Sequence, residues 1–164
     1  MKKILTALLI SLFFIGCNSN SNVNVESKLV VNHSLSSLKL NDQNGKPKII
    51  KPDTKKIVFA FSKDVGHICN EFFATKPETY LEENKVQFIA DVSSAPSLIR
   101  SMFIMPGLKD FKHSVLIIDD EKISAEYKPA TNNEKIIVAD IKNQTITNLT
   151  YLDSVDELQK YIAK

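Results

Sequence analysis

Lys56-Ile57-Val58-Phe59-Ala60-Phe61 runs directly into Ser62-Lys63-Asp64-Val65-Gly66-His67-Ile68-Cys69. The first six residues are nearly all apolar and β-branched or aromatic. That composition suits a central strand covered on both faces. The next eight turn polar and then resume apolar residues. A helix is expected from about Gly66, carrying Ile68, Phe72 and Phe73 inward. A strand that passes at once into a helix opens a β-α unit, and a parallel strand beyond the helix completes it.

Downstream, Pro77 marks a fresh helix start with Thr75 as its cap, and Tyr80 and Leu81 face inward before Asn84 stops it. Val86 to Val92 is the next strand. Ser93-Ser94 caps a helix whose start tolerates Pro96. Its apolar residues are Leu98, Ile99, Met102, Phe103 and Met105, and Pro106-Gly107 is expected to end it. Ser114 to Ile118 reads as a buried strand closed by Asp119-Asp120. The Asp119-Asp120-Glu121 carboxylates suit a strand end and helix N-terminus better than a cation site. Ile123 to Tyr127 fits either a helical turn or a strand. Lys135–Ile141 and Thr145–Leu152 flank Lys142-Asn143-Gln144 as a hairpin, although Ile146 and Leu149 break strict alternation. Ser154 and Glu157 have capping-box spacing, ahead of an apolar stripe of Leu158, Tyr161 and Ile162.

Upstream, Leu35, Leu38 and Leu40 approach a strand pattern. Asn41-Asp42-Gln43-Asn44-Gly45 is a turn signal, and Lys48-Ile49-Ile50 is a short return. The resulting order is β-β-β-α-β-α-β-(α)-β-β-α. It predicts an α/β fold with a mixed sheet and helices on both faces.

The N-terminus has a different character. Met1-Lys2-Lys3 precedes an apolar run from Ile4 to Ile15, then Gly16-Cys17. This is a secretory signal over residues 1–16, too short for a membrane span of about 20 residues. Residues 17–30 are expected to form a flexible tether, because Asn18 to Lys28 is polar and of low complexity. The folded domain is expected over residues 31–164. Phe14-Ile15-Gly16-Cys17 resembles the bacterial lipoprotein lipobox, with Phe14 where Leu is usual. The resemblance implies cleavage before Cys17, a diacylglycerol thioether on its sulfur, and an acylated amine such as a palmitate. It places the protein in the bacterial cell envelope, lipid-anchored. Asn18 leans towards the outer membrane, facing the periplasm, if the cell is Gram-negative.

Lys and Arg number 21 against 19 Asp and Glu. Two of the lysines, Lys2 and Lys3, lie in the signal, so the mature chain is formally neutral. That gives no footing for nucleic acid. The partners expected are the membrane, through the lipid on Cys17, and an envelope protein. Cys17 and Cys69 are the only cysteines, which excludes a disulfide scaffold. With Cys17 lipidated, Cys69 has no partner within the chain.

Leu38 to Pro47, the Lys56–Phe61 strand, Asp119 to Tyr127 and the terminal β-β-α together resemble the thioredoxin-like superfamily. The resemblance covers about residues 35 to 163 and is nearest the peroxiredoxin/TlpA-like branch. Ala90-Asp91 to Gly107, followed by Val115 to Asp119, is also similar to a periplasmic YtfJ-like group. The family implies a redox pair, Cys-x-x-Cys, at the start of the helix after the strand. Here the matching residues are Gly66-His67-Ile68-Cys69. Gly66 replaces the nucleophile, and Cys69 stands where the resolving Cys would be. Where the family places a cis-proline before the late hairpin, this chain has Asn133-Glu134-Lys135. Dithiol–disulfide exchange is excluded, because the second sulfur is missing. Against the peroxiredoxin loop, Gly66 falls at the Thr position and Ser62 at the Pro position. Arg100, the only arginine, lies on the wrong helix.

Two readings of Cys69 stay open at this point. It is either a buried apolar residue, as most free cysteines are, or a reactive thiol assisted by His67. The i, i+2 spacing does not stack His67 and Cys69 on one helix face. His67, Cys69, Met102, Met105 and His113 are suitable ligand types for Cu(I), but Met102 and Met105 fit a helix core more simply. No metal or other cofactor is expected. No Ser/His/Asp set or phosphate loop is present. The sequence thus points to a lipid-anchored binding or adaptor module with a redox-inactive domain. The alternative is a single-thiol enzyme, a peroxidase or mixed-disulfide catalyst, acting through Cys69 and His67.

Overall fold

A computed structural model describes residues 27–163. The expected signal over residues 1–16, the expected lipidation at Cys17 and the expected tether as far as residue 26 lie outside the described residues. Seven strands form one sheet in the order β2-β1-β5-β4-β3-β6-β7. They are β1 (Lys39–Asp42), β2 (Pro47–Ile49), β3 (Lys56–Ala60), β4 (Val86–Asp91), β5 (Leu116–Ile118), β6 (Ile136–Lys142) and β7 (Thr145–Leu152). The strands β3, β4 and β5 run parallel, and every other pairing is antiparallel. Antiparallel strands need only tight turns, whereas the β3-β4 and β4-β5 steps need helical crossovers.

The alternation of strand side chains builds two cores. Val58, Ala60, Phe88, Ala90 and Val138 pack on one face beneath α1 (Lys63–Ala74) and α6 (Val155–Ile162). Ile57, Phe59, Phe61, Ile89 and Ile137 pack on the other with Leu29, Leu35, Leu38 and Tyr127 of α5 (Glu121–Tyr127). Consecutive residues of β3 are therefore buried on opposite faces, which is why its sequence is apolar without alternation.

Several boundaries differ from expectation. Helix α1 starts at Lys63, three residues before Gly66, because the Ser62 hydroxyl accepts from Val65 N and caps it. Its inward stripe is Val65, Cys69, Phe72 and Phe73, and Ile68 is 40% exposed. Thr75 does not cap the next helix. It closes α1, its hydroxyl donating to the Phe72 carbonyl, and α2 (Tyr80–Glu83) follows Thr79 instead.

Residues 27–29, expected to belong to the tether that ends at residue 30, pack against the folded domain instead. Lys28 N donates to the Glu126 carbonyl at 2.6 Å, and the Ser27 hydroxyl donates to Tyr127 O. Leu29 is 3% exposed within the second core. The C-terminal turn of α5 has carbonyls without intrahelical partners, and residues 27 and 28 satisfy two of them.

The segment Ile123 to Tyr127 resolves as helix, with Asp120 accepting from Lys122 N as its cap. The β6–β7 hairpin turns on Asn143 and Gln144, both at positive φ (51° and 59°), which is the two-residue turn matched to strand twist. A register shift between Asp140 and Ile141 explains the imperfect alternation of Ile146 and Leu149. The Ser154 hydroxyl accepts from Glu157 N. The Glu157 carboxylate reaches back to Asp153 N, one residue beyond the usual box.

Candidate binding groove

The parallel strands β3 and β4 end at the same edge of the sheet, where α/β folds place their sites. Beyond that edge lies a groove of about 670 Å³. The first turns of α1 form one wall and present Lys63, Gly66, His67 and Asn70. The other wall is the helical stretch after β4. It comprises α3 (Ser97–Ile99), a π-helical turn (Arg100–Ile104) and α4 (Met105–Lys109). Ile99, Phe103, Ile104 and Leu108 face the groove from this side. Asp91 lies at the floor, its oxygens accepting from Ser93 N (2.9 Å) and the Ser124 hydroxyl (2.6 Å).

Cys69 does not reach the groove surface. It is 0% exposed, within the core that holds Phe72, Phe73 and Phe88. Burial pushes its thiol up to about 12. The early start of α1 supplies the structural reason. Cys69 is the seventh residue of the helix, and the partial positive charge at a helix N-terminus fades within the first turn. His67 is exposed on the groove wall while Cys69 points into the core, so the structure does not bring them together. The assisted thiol is corrected on both grounds, since a thiolate needs an accessible, electropositive site.

The soft-metal set is also dispersed. His67 is exposed, Cys69 and His113 are buried, and Met102 is 58% exposed. Among the described residues, no three His, Cys, Asp or Glu side chains form a cluster that could hold a metal ion. Arg100 donates from Nη1 to the Ser93 carbonyl at 2.7 Å, a local role on its own wall.

The expected core helix over Leu98 to Met105 is corrected as well. Leu98, Ile99, Met102 and Phe103 are 63%, 42%, 58% and 64% exposed. Met105 is only half-buried. Pro106-Gly107 does not end the helix but lies inside α4. Pro106 offers no N–H to the preceding turn and its ring crowds that turn's carbonyl. The wider i→i+5 turn, closed by Met105 N to Arg100 O, accommodates it. That widening shifts the inward positions to Ile104 and Leu108 and leaves the earlier apolar residues outside.

A polar cluster behind the groove escaped sequence reasoning. Asn70 donates to the Gly66 carbonyl (2.9 Å), and its Oδ1 accepts from His113 Nε2 (3.0 Å). His113 lies among Phe73, Phe88 and Phe111, and burial lowers its imidazole to about 4. Its Nδ1 is buried and has no hydrogen-bond partner among the described residues. Gln43 bridges the neighbouring backbone, donating to His113 O and accepting from Val115 N. His113 was legible only as a ligand type. The nearest signal for Asn70 was its place beside Cys69 on a helix that buries that side.

No family model matches the chain, and no curated protein matches it. Solved structures do. The "putative protein disulfide isomerase" of Bacteroides thetaiotaomicron superposes with a TM-score of 0.53 at 14% identity, covering 82% of this chain and 87% of its own. The bacterioferritin comigratory protein of Xanthomonas campestris, whose structures concern alkyl peroxide reduction, gives 0.51 at 8% identity, with 84% and 96% covered. A peroxiredoxin Q structure from Xanthomonas campestris gives 0.51 at 8%, with 82% and 93% covered. At these identities the likeness concerns the fold. The chain has a thioredoxin-like fold.

Proposed function

We propose that this protein is an envelope lipoprotein whose thioredoxin-like domain works as a binding module through the groove between α1 and residues 97–109. One observation carries the reading. At the edge where the superfamily places its redox pair, the α1 wall presents Gly66 and His67, and the single described thiol is wholly buried. The opposite wall is apolar, as ligand and partner sites usually are. The anchor is supported by Phe14-Ile15-Gly16-Cys17 in the sequence. Two or more acyl chains there hold a protein firmly at a membrane.

Each half has its own test. Palmitate labelling that Cys17→Ser abolishes supports the anchor, and an unlabelled wild-type chain ends that reading. For the groove, a photo-crosslinking residue at His67 is expected to capture one defined species, and Gly66→Leu should remove the crosslink. A Cβ at Gly66 meets nothing within 4 Å, so the larger side chain fills space that is open. A crosslink indifferent to Gly66→Leu would place the contact elsewhere. Titration with a thiol reagent keeps the enzymatic alternative falsifiable. Cys69 is expected to react only after unfolding, and fast reaction in the native protein would restore a one-thiol enzyme.

A further inference from the structure

We infer that the outer edge of β7 pairs with the β7 of a second copy of this chain, antiparallel, about a two-fold axis at Thr150. The two ends of the sheet are finished differently. The β2 edge is three residues long, begins with Pro47 and carries Lys48. Short length, proline and lysine are devices that keep an edge from pairing. The β7 edge is eight residues long, Thr145 to Leu152, with no charged residue and no proline. Threonine, isoleucine and tyrosine along it favour the strand.

Part of that edge is already occupied. Ile146 N donates to His33 O, and Asn32 N donates to Ile146 O. At the far end, Asp153 N donates to the Glu157 carboxylate ahead of α6. Between these limits, residues 147–152 have no strand on their outer side among the described residues. The direction of their backbone groups follows from β6. Ile141 N donates to Lys55 O, away from β7. Backbone direction alternates along an antiparallel strand, so Asp140, Val138 and Ile136 point towards β7. These three face Asn148, Thr150 and Leu152. Leu149 and Tyr151 therefore aim their N–H and C=O groups outwards, and no described residue bonds them.

This spacing selects the occupant and the register. A second β7 centred on Thr150 sets Leu149 of each copy opposite Tyr151 of the other. Every outward residue is then in a pair that exchanges both of its N–H···O bonds. An axis at Leu149 would set Tyr151 against Thr147, which lies at the register shift in β7. An axis at Tyr151 would set Leu149 against Asp153, whose N–H is taken. The side chains agree with the Thr150 register. Thr150 bonds Tyr161 of α6 and Leu149 packs on the opposite core, so alternation puts Tyr151 on the side of Leu149. Leu149 then meets Tyr151 on one face and Thr150 meets Thr150 on the other, both favourable cross-strand pairs. An uncharged edge brings no repulsion from a like copy, and a two-fold interface has to be self-complementary in this way. A single strand pair is smaller than a standard interface, which makes the dimer weak and concentration-dependent. No residue of β6 or β7 lines the groove, so the two surfaces are separate.

The test uses the full chain in detergent with one cysteine added. At the axis, the two copies of residue 150 form a close, non-hydrogen-bonded pair, so Thr150→Cys is expected to give an intermolecular disulfide under mild oxidation. Thr147→Cys, on the same open edge, would stand roughly 20 Å from its copy and should oxidise at least tenfold more slowly. The wild-type chain, with Cys17 and Cys69, is the blank. Sedimentation equilibrium should show a mass rising towards twice the monomer with concentration. Tyr151→Pro removes an outward N–H that β6 does not use, and should return the mass to that of the monomer. Tyr151→Lys should do the same through edge charge if the proline disturbs the strand. A monomer at every concentration overturns the inference, whether the edge is bare or covered by residues upstream of Ser27. Equal oxidation at 147 and 150 overturns it too. A dimer that survives Tyr151→Lys with a native circular dichroism spectrum places the contact elsewhere and has the same consequence. None of these readouts depends on the lipid or on occupancy of the groove.

Discussion

Helix α1 and the stretch 97–109 face each other across one groove, yet they spend their apolar residues in opposite ways. Helix α1 turns Val65, Cys69, Phe72 and Phe73 into the core and shows His67 and Lys63 outside. The stretch 97–109 keeps Leu98, Ile99, Met102 and Phe103 outside and buries only Leu108 fully. Both sequences carry helical apolar spacing. The spacing says which residues share a side, and only the backbone's phase says which way that side faces. A cap at Ser62 sets the phase of α1, whereas a π-helical turn ahead of Pro106 resets that of the other wall.

The largest effect that would break this contrast comes from paired truncations. Phe73→Ala should cost about 3–5 kcal/mol, since Phe73 is 2% exposed and meets Phe72, Tyr80, Phe88 and His113. Phe103→Ala should change stability in solution by no more than about 0.5 kcal/mol. Urea unfolding measures both, and comparable losses would mean that Phe103 is core after all.

Next in size is a pH dependence. Burial holds His113 at about 4, below its ordinary 6.5. The unfolded chain therefore binds this proton first as pH falls. Its neutral form imposes no penalty above about pH 6.5, and stability declines from there down to about pH 4. The loss attributable to this residue should be about 2–3 kcal/mol. Denaturant midpoints across that range should show the slope in wild type and a flatter profile in His113→Leu. Parallel profiles would show that other groups carry the acid sensitivity.

Asn70→Ala follows, at about 1–3 kcal/mol, because it leaves His113 Nε2 as well as Nδ1 unpaired in an apolar surround. A loss within measurement error would mean that the cluster is solvated and dispensable. The smallest effect has the opposite sign. Gly66→Ala should stabilise the protein by about 0.5–1 kcal/mol, since Gly66 lies inside α1 and a Cβ there enters open space. Destabilisation would show that the groove is narrower at Gly66 than the open space there implies.

Much of the architecture was legible from local chemistry. The continuous apolar run Lys56–Phe61 announced a doubly covered strand, and Ser154 with Glu157 announced the last helix. Gly66, where the resemblance implied a first redox cysteine, was legible without any fold. The strand and helix readings held because period, cap and composition act over a few residues. Less was legible at the groove. The phase of residues 97–109 depends on how a helix accommodates Pro106, and Leu29 could join the core only once α5 offered it a place.

By itself, then, the sequence determined the order of strands and helices, the basic and apolar run that precedes Cys17, and the presence of Gly66 rather than a cysteine three positions before Cys69. These are properties of composition and short-range spacing. Only the tertiary structure decided that Cys69 is sealed and that His67 stands apart from it. It alone decided that Asn70 and His113 meet across 43 residues of chain, and that the apolar face of residues 98–103 looks outward. Each of these depends on where one element lands against another, and burial is a property of that packing.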